Sequence, residues 1–461
     1  MKPGWANPMS LTKVTEESKW NRGHTFAFLS FGIGLFLEGY IFSLAPIASA
    51  WFTIPASLTK LLLAWPFLWL IIGIAIYGPI SDRIGRKRTF YISMSMYAVG
   101  GILLVTSPAY VAVLIALAVL LLAAGGEMNT IMIASHEIFP RKHRSKAMMM
   151  EMDFLTVSGV ALSAIGFLSA STTVTFGRET AGALVFLTLG ALLLARRGMP
   201  ESVRWLEKRG LHERAKEETQ KYYGVAAATS ATAATAVSAA PSAASAGLQG
   251  RNPPTWFRYA VATTVAWANT TGFGLLTYAL GPLYFPSLTP YIFLIAGVAG
   301  AVGGFVGLGG DRWSRKTLLT VSSLLNLIIT IVIAATVHIW AADITLFWIL
   351  LILLNLNGQV NYMTEDTLKG ELWQTQRRGS ITALARVVSI GLYIPILYIT
   401  SSFPVSEYLI FNASVWAIGA VAAVAWQIWG VETGKGVSIG YASGEADTIP
   451  VPANQAQVKT A

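Results

Sequence analysis

Apolar residues in this chain gather in runs of about twenty, long enough to cross a bilayer as a helix. The pattern predicts twelve such helices, at about 24–48, 57–80, 89–107, 109–136, 147–170, 180–197, 256–285, 290–309, 317–340, 343–368, 380–401 and 406–429. The period-two alternation of a membrane β-barrel is absent, so the backbone must satisfy itself within helices. Short polar turns separate the runs, and an even number of crossings returns both termini to one side. Of the 33 Lys and Arg, all but Lys60, Arg178 and Arg386 fall in the tails and loops of that side, with Arg386 placed inside a span. The positive-inside rule then makes both termini cytoplasmic.

Composition supports this picture. The 461 residues are 54% hydrophobic and 12% charged, where soluble domains carry roughly 25% charged residues. There is no cysteine and the five histidines show no ligand spacing, so no metal site or cofactor is expected. The net charge of +10 follows from membrane topology rather than from a nucleic-acid partner.

The predicted organisation is a cytoplasmic tail (1–23), a six-helix bundle (24–197), a cytoplasmic segment (198–255), a second six-helix bundle (256–429) and a cytoplasmic tail (430–461). Residues 200–223 alternate acids and bases and suit surface helices. Residues 225–249 are almost wholly Ala, Ser and Thr and suit a linker rather than a thirteenth span.

Two motifs occur twice. Gly78-Pro-Ile-Ser-Asp82-Arg83-Ile-Gly85-Arg86 follows the second helix, and Gly309-Gly310-Asp311-Arg312-Trp313-Ser314-Arg315 follows the eighth. Glu137 precedes Arg144 by seven residues, as Glu371 precedes Arg378. The copies are 229 and 234 residues apart in the same order, which indicates a duplicated six-helix unit with a site at the interface of its halves.

The first loop resembles the signature of the major facilitator superfamily. The Glu…Arg pairs and Pro200-Glu201-Ser202-Val203-Arg204-Trp205-Leu206 resemble motifs of its sugar-porter and metabolite–proton symporter branches. The resemblance implies an all-α fold of twelve membrane helices in two six-helix bundles, working by alternating access. It implies a cytoplasmic gate of Gly78, Asp82, Arg83, Gly85, Arg86, Glu137, Arg144, Glu201 and Arg204, answered by Asp311, Arg315, Glu371 and Arg378. Sugar porters usually carry an Arg early in helix four, where this chain has Leu117. Their helix-five glutamines fall here on Met152 and Gly159, and their helix-seven pattern becomes Ala268-Asn269…Gly272…Gly274…Tyr278. Gly125-Gly126-Glu127 instead looks like organic-acid and phosphate symporters.

Intramembrane charges are functional candidates because each costs roughly 2.5–3.5 kcal/mol at mid-helix. Glu38 and Glu127 are the expected proton-coupling acids, against a structural carboxyl bonded to a neighbouring helix. Of Glu151 and Asp153, about 200° apart on a helical wheel, Asp153 is favoured for the cavity. Arg386 suits an anionic solute group through its bidentate fork, or an ion pair with Asp82 or another acid between the halves. Helix ten carries Asn355, Asn357, Gln359 and Asn361 before Glu365 and Asp366, and helix seven carries Asn269 and Tyr278 among glycines. With Asn129 of helix four, these predict a wet central cavity. The expected function is secondary transport of a small polar metabolite, an organic acid or sugar-like solute, with protons, by a plasma-membrane monomer whose partners are solute, protons and lipid. A uniporter or exchanger, or a nutrient sensor that carries nothing, are the competing readings; no enzyme motif accompanies the buried acids.

Overall fold

The computed structural model describes residues 11–52, 55–106, 109–170, 173–224 and 253–444; the 225–249 linker falls outside them. Helices account for every regular element among the described residues. Eleven are long and apolar enough to cross a membrane. Six come from the first half: Arg22–Ala50, Ala56–Ile84, Arg86–Thr106, Tyr110–Ile138, Arg144–Ala170 and Val174–Gly198. The eighth to twelfth crossings are Thr289–Gly304 continued by a 3-10 turn to Gly309, Arg315–Ala335, Ile344–Glu371, Arg378–Thr400 and Val405–Trp429.

The seventh crossing is composite rather than one continuous helix. Thr255–Gly272 breaks at Gly274, whose φ of 76° only glycine adopts cheaply, then resumes as a π-helical turn (Leu275–Leu280) and a short helix (Gly281–Tyr284).

Four spans begin two or three residues earlier than the apolar pattern predicts, on Arg86, Arg144, Arg315 and Arg378. An arginine at a helix N-terminus opposes the helix dipole, and the orphan N–H groups there need acceptors. Carboxylates from elsewhere in the chain supply them. Glu201 accepts from Arg86 N and Lys87 N, both at 3.2 Å, and Glu432 accepts from Arg315 N at 2.8 Å. Asp311 accepts from Ser145 N (3.0 Å) and Lys146 N (3.2 Å), and Asp82 from Ser380 N (3.0 Å).

Within the first half the fourth span is central, and glycines let it press against the second. A Cβ on Gly125 would strike the Leu70 carbonyl, one on Gly73 the Leu122 carbonyl, and one on Gly126 the Tyr77 ring. The Gly125-Gly126 pair therefore serves close helix packing.

The halves meet along two seams, second span on eleventh and fifth on eighth. In the latter, Gly297, Gly300, Gly304 and Gly307 face Val160, Thr156, Asp153 and Met149. At the end carrying the basic loops, the fourth span also meets the tenth and eleventh. No comparable contact joins the first span to the seventh among the described residues, and Phe273 and Tyr278 of the seventh are more than half exposed. The bundle is tied at its basic end; toward the other end the first and seventh spans stand without such a contact, while Phe167 meets Tyr291 and Phe67 meets Tyr393 across the two seams.

Segments expected to be tails are docked at the closed end. The helix Leu11–Glu16 is capped by Glu207, which accepts from Leu11 N (2.8 Å) and Thr12 N (2.9 Å). The acid–base stretch forms helices Val203–Lys208 and His212–Tyr223, and Ile439–Ser443 adds a buried turn after the twelfth span.

Candidate functional site

The closed end is built from the duplicated motifs. Glu137 accepts two bonds from Arg86, both 2.9 Å, and one from Ser202 Oγ at 2.7 Å. Arg378 of the other half approaches the same carboxylate at 3.4 Å. Asp82 lies 3.5 Å from Arg86 and receives Ser380 Oγ at 2.9 Å, while Asn129 Nδ2 donates to Gly379 O at 3.3 Å. Asn129 is thus engaged at the interface rather than turned to a cavity. Gly78 admits Ala383 and Gly379 of the eleventh span; Gly85, with φ 98°, packs under Glu201 and Trp205. Arg83 departs from expectation. It is exposed, and its contribution is a backbone carbonyl that accepts from Arg209.

The second copy is looser. Arg315 lies 3.4 Å from Glu371. Arg144, the counterpart of Arg378, turns to Glu16 of the N-terminal helix at 3.2 Å, and Arg204 pairs with the same carboxylate while reaching Thr375 Oγ1 at 3.4 Å. Burial pushes the Glu16 carboxyl up, but Arg144 and Arg204 outweigh it and hold it below its ordinary value. Its contribution is therefore present above the ordinary carboxylate pKa and lost only as pH falls through the depressed one. The docked segment should stay in place through neutral pH. Glu16→Gln is expected to loosen it by about 1.5–3 kcal/mol, the value of hydrogen bonds to charged groups. Faster amide exchange at residues 11–18 would register this, and unchanged exchange would show that the ion pairs do not hold the segment. Asp311 differs: burial raises its carboxyl above its ordinary value in spite of its N–H partners.

Deeper in the bundle, Glu38 is 4% exposed and its Oε2 has no partner. The charges acting on it are Arg386, Asp366 and Glu127. Arg386 does not pair with Asp82. One of its terminal nitrogens donates to both oxygens of Asp366, at 2.5 and 2.6 Å, within its own half.

Glu127 is fully buried, paired with Arg196 of the sixth span and accepting from Ser93 Oγ of the third at 2.5 Å. Arg196 was hidden in the sequence because, beside Arg197, it reads as the basic cap of a span. Arg386 is therefore not the lone basic side chain buried within the spans.

The amides of helix ten divide. Asn357 donates to Ser322 O (2.8 Å) and Asn326 Oδ1 (2.6 Å), and Asn361 donates to Ser322 Oγ (2.9 Å) and Ser323 Oγ (2.8 Å). Both face the ninth span, correcting their expected place in a wet cavity; the helical period turns them away from the other half. Gln359 reaches Met152 O across the seam at 3.5 Å. Asp153 is pressed against Gly304 in the fifth–eighth seam, 7% exposed and with Oδ1 unpartnered. Asn269 Nδ2 is buried without a partner, and Tyr278 meets the Phe273 and Phe293 rings at a tilt. No cluster among the described residues has the make-up of a metal site.

Sequence reasoning missed Glu432, although a signal was present: it stands 231 residues after Glu201 (432 − 201), between the two spacings of the other repeated motifs, and caps its helix as Glu201 does.

The family model described as Major Facilitator Superfamily matches residues 26–394, most of the chain and both halves of the bundle. The chain belongs to the major facilitator superfamily. This facilitator is accordingly a multi-pass membrane transport protein rather than an enzyme. It is similar to the glucose transporter GlcP of Staphylococcus epidermidis (26% identical, 32% of each chain). It is also similar to the inner membrane metabolite transport protein YgcS of Escherichia coli K12 (30% identical, 44% of this chain and 46% of that one). A third relative is monosaccharide-sensing protein 1 of Arabidopsis thaliana (28% identical, 44% of this chain and 28% of that one). The matches span less than half the length of each of these relatives. Among solved structures, the proton:xylose symporter XylE bound to 6-bromo-6-deoxy-D-glucose shares the fold of this facilitator (TM-score 0.70, 17% identity, 93% of this chain and 97% of that one). The inward-open XylE from E. coli does so with a TM-score of 0.63 at 17% identity, over 91% of this chain and 98% of that one.

Proposed function

We propose that this facilitator moves a small polar solute across the plasma membrane by proton symport, with the basic end in the cytoplasm. The observation that carries the proton reading is Glu38. It is a buried carboxyl with a free oxygen, on the half opposite Arg386 and Asp366 and above a closed gate. A carboxyl so placed can take a proton from one end and lose it when the halves rock the other way. Glu127, the other sequence candidate, has Arg196 as a counterion and serves better as a structural charge.

With the basic loops cytoplasmic, the end tied by the motif pairs is the inner one. The motif pairs act as an inner gate, and solute enters from the opposite end past Tyr278 and Asn269. XylE is by name a proton:xylose symporter and GlcP a glucose transporter, so sugars stand first among the solutes to test. Small carboxylates stand second, since Arg386 retains free donors. Uniport is the competing mechanism, favoured by Leu117, which is fully buried in an apolar cluster where sugar porters carry an arginine.

The test uses protein in liposomes holding a pH-sensitive dye, with sugars and carboxylates added singly. Wild type should acidify the lumen with its solute, and Glu38→Gln should abolish that signal while still exchanging labelled solute. Acidification surviving in Glu38→Gln would remove this residue from the proton path. Saturable uptake without proton movement in wild type would establish uniport.

A further inference from the structure

The tenth span carries a set of charges that the proton step at Glu38 does not use. Asp366, which holds Arg386, also lies 2.9 Å from the Lys369 ammonium, and Lys369 lies 2.8 Å from Glu365. None of the four is more than 4% exposed. Buried charge is costly unless balanced, and here two cations meet two anions. Asp366 thus has a second counterion and does not depend on Arg386.

Arg386, for its part, is underused. Its Nε and one terminal nitrogen have no partner. The groups acting on it are Asp366, Tyr362 and Glu365 of the tenth span and Glu38 of the first. Of these, Glu38 lies in the other half and has an unpartnered oxygen. Glu127 of the fourth span and Asp366 complete the charges around Glu38, and Tyr97 of the third also feels it.

The cluster adjoins the gate. Gly370, next to Lys369, is where the His136 ring of the fourth span packs, and His136 Nε2 meets Thr367 O at 3.1 Å. Parting the fourth and tenth spans must lift His136 and admit water to Lys369 and Asp366.

We infer that Lys369 and Asp366 link gate opening to the proton. Arg386 passes from Asp366 to Glu38 when the gate opens, and the Glu38 proton is expelled on that side. This rests on the symport reading of Glu38. Hydration weakens the attraction between Asp366 and Arg386, which is strong only while the cluster is dry. Lys369 keeps Asp366 neutralised as the guanidinium turns. The free donors of Arg386 then bind the Glu38 carboxylate, and its proton passes to water in the opened vestibule; the O–H bond of Glu38 breaks and one forms on water. Closure dries the cluster, returns Arg386 to Asp366 and leaves Glu38 to take a new proton from the opposite side. Lys369 is a positioning residue, since it touches neither solute nor the moving proton.

The experiment compares wild type, Lys369→Gln, Lys369→Arg and Glu38→Gln in liposomes, with D-xylose, D-glucose and succinate as probes. It records solute-driven proton uptake, labelled-solute exchange and the pH profile of exchange. Lys369→Gln should exchange solute yet lose proton uptake to the level of Glu38→Gln, with a displaced pH profile; Lys369→Arg should retain coupling. Wild-type proton uptake and pH profile in Lys369→Gln would overturn the link and leave symport standing. Loss of exchange in both Lys369 variants would assign the residue to folding and overturn the link as well. Wild type that exchanges a probe without moving protons would overturn both.

Discussion

Glu127→Gln is expected to lower the stability of the folded protein by about 3–5 kcal/mol, the cost of stranding one member of a buried ion pair. The mutation leaves Arg196 without its carboxylate in a position with no exposure to solvent. What remains for the guanidinium is the Phe90 carbonyl at 2.9 Å and the Phe90 ring, 4.8 Å from its centroid. Ser93 loses its charged acceptor as well and keeps at best a neutral amide oxygen. Unfolding in detergent would show the loss as a clear fall in melting temperature. The double variant Glu127→Gln/Arg196→Met should recover most of it, because replacing a buried pair by apolar bulk is often neutral. Solute-driven proton uptake by the folded remainder should match wild type. A melting curve unmoved by Glu127→Gln, or a coupling defect in protein that melts normally, would return Glu127 to the transport cycle.

Glu137→Gln should act on the gate rather than on one half alone. Its carboxylate joins Arg86, Ser202 and Arg378, so neutralising it leaves two buried guanidiniums facing each other across the halves. Opening relieves that repulsion by carrying Arg378 into water. Ala383, buried against Gly78 of the opposite half, reports on the seam. The chain contains no cysteine, so Ala383→Cys would be the lone target of a thiol reagent. Adding Glu137→Gln should speed labelling from the basic side at least ~10-fold, equivalent to about 1.4 kcal/mol. Equal labelling rates would mean that Glu137 fixes the local fold without biasing the gate.

The twelve crossings were legible because an apolar run of that length suits little besides a helix in lipid, and the duplication was legible because its charged motifs recur at near-constant spacing. The span starts were not. Arg86, Arg144, Arg315 and Arg378 look like loop residues until the carboxylates that receive them or their neighbours are seen, and those lie far away in sequence. The interior site was half legible. Glu38 and Arg386 stand out as charges within apolar runs, but nothing local says that Arg386 faces Asp366. The amides of helix ten mark polarity without its direction, and Asn357 and Asn361 spend theirs on the ninth span. The docked Glu16 segment was invisible, since six residues of ordinary composition carry no pattern that names Arg144 and Arg204 as partners.

Asp82 and Asp311 cap helices that belong to the opposite half, one at each seam. When the halves part at this end, both carboxylates withdraw, and the amino ends of the fifth and eleventh spans are left bare beside Arg144 and Arg378. On the proposed function, the inner mouth thus presents two uncapped helix amino ends, each with its partial positive charge, at the moment it opens. A neutral passenger crosses that ring without penalty. A carboxylate passenger would linger there, so in the carrier proposed above the device that locks the halves together would also favour uncharged solutes.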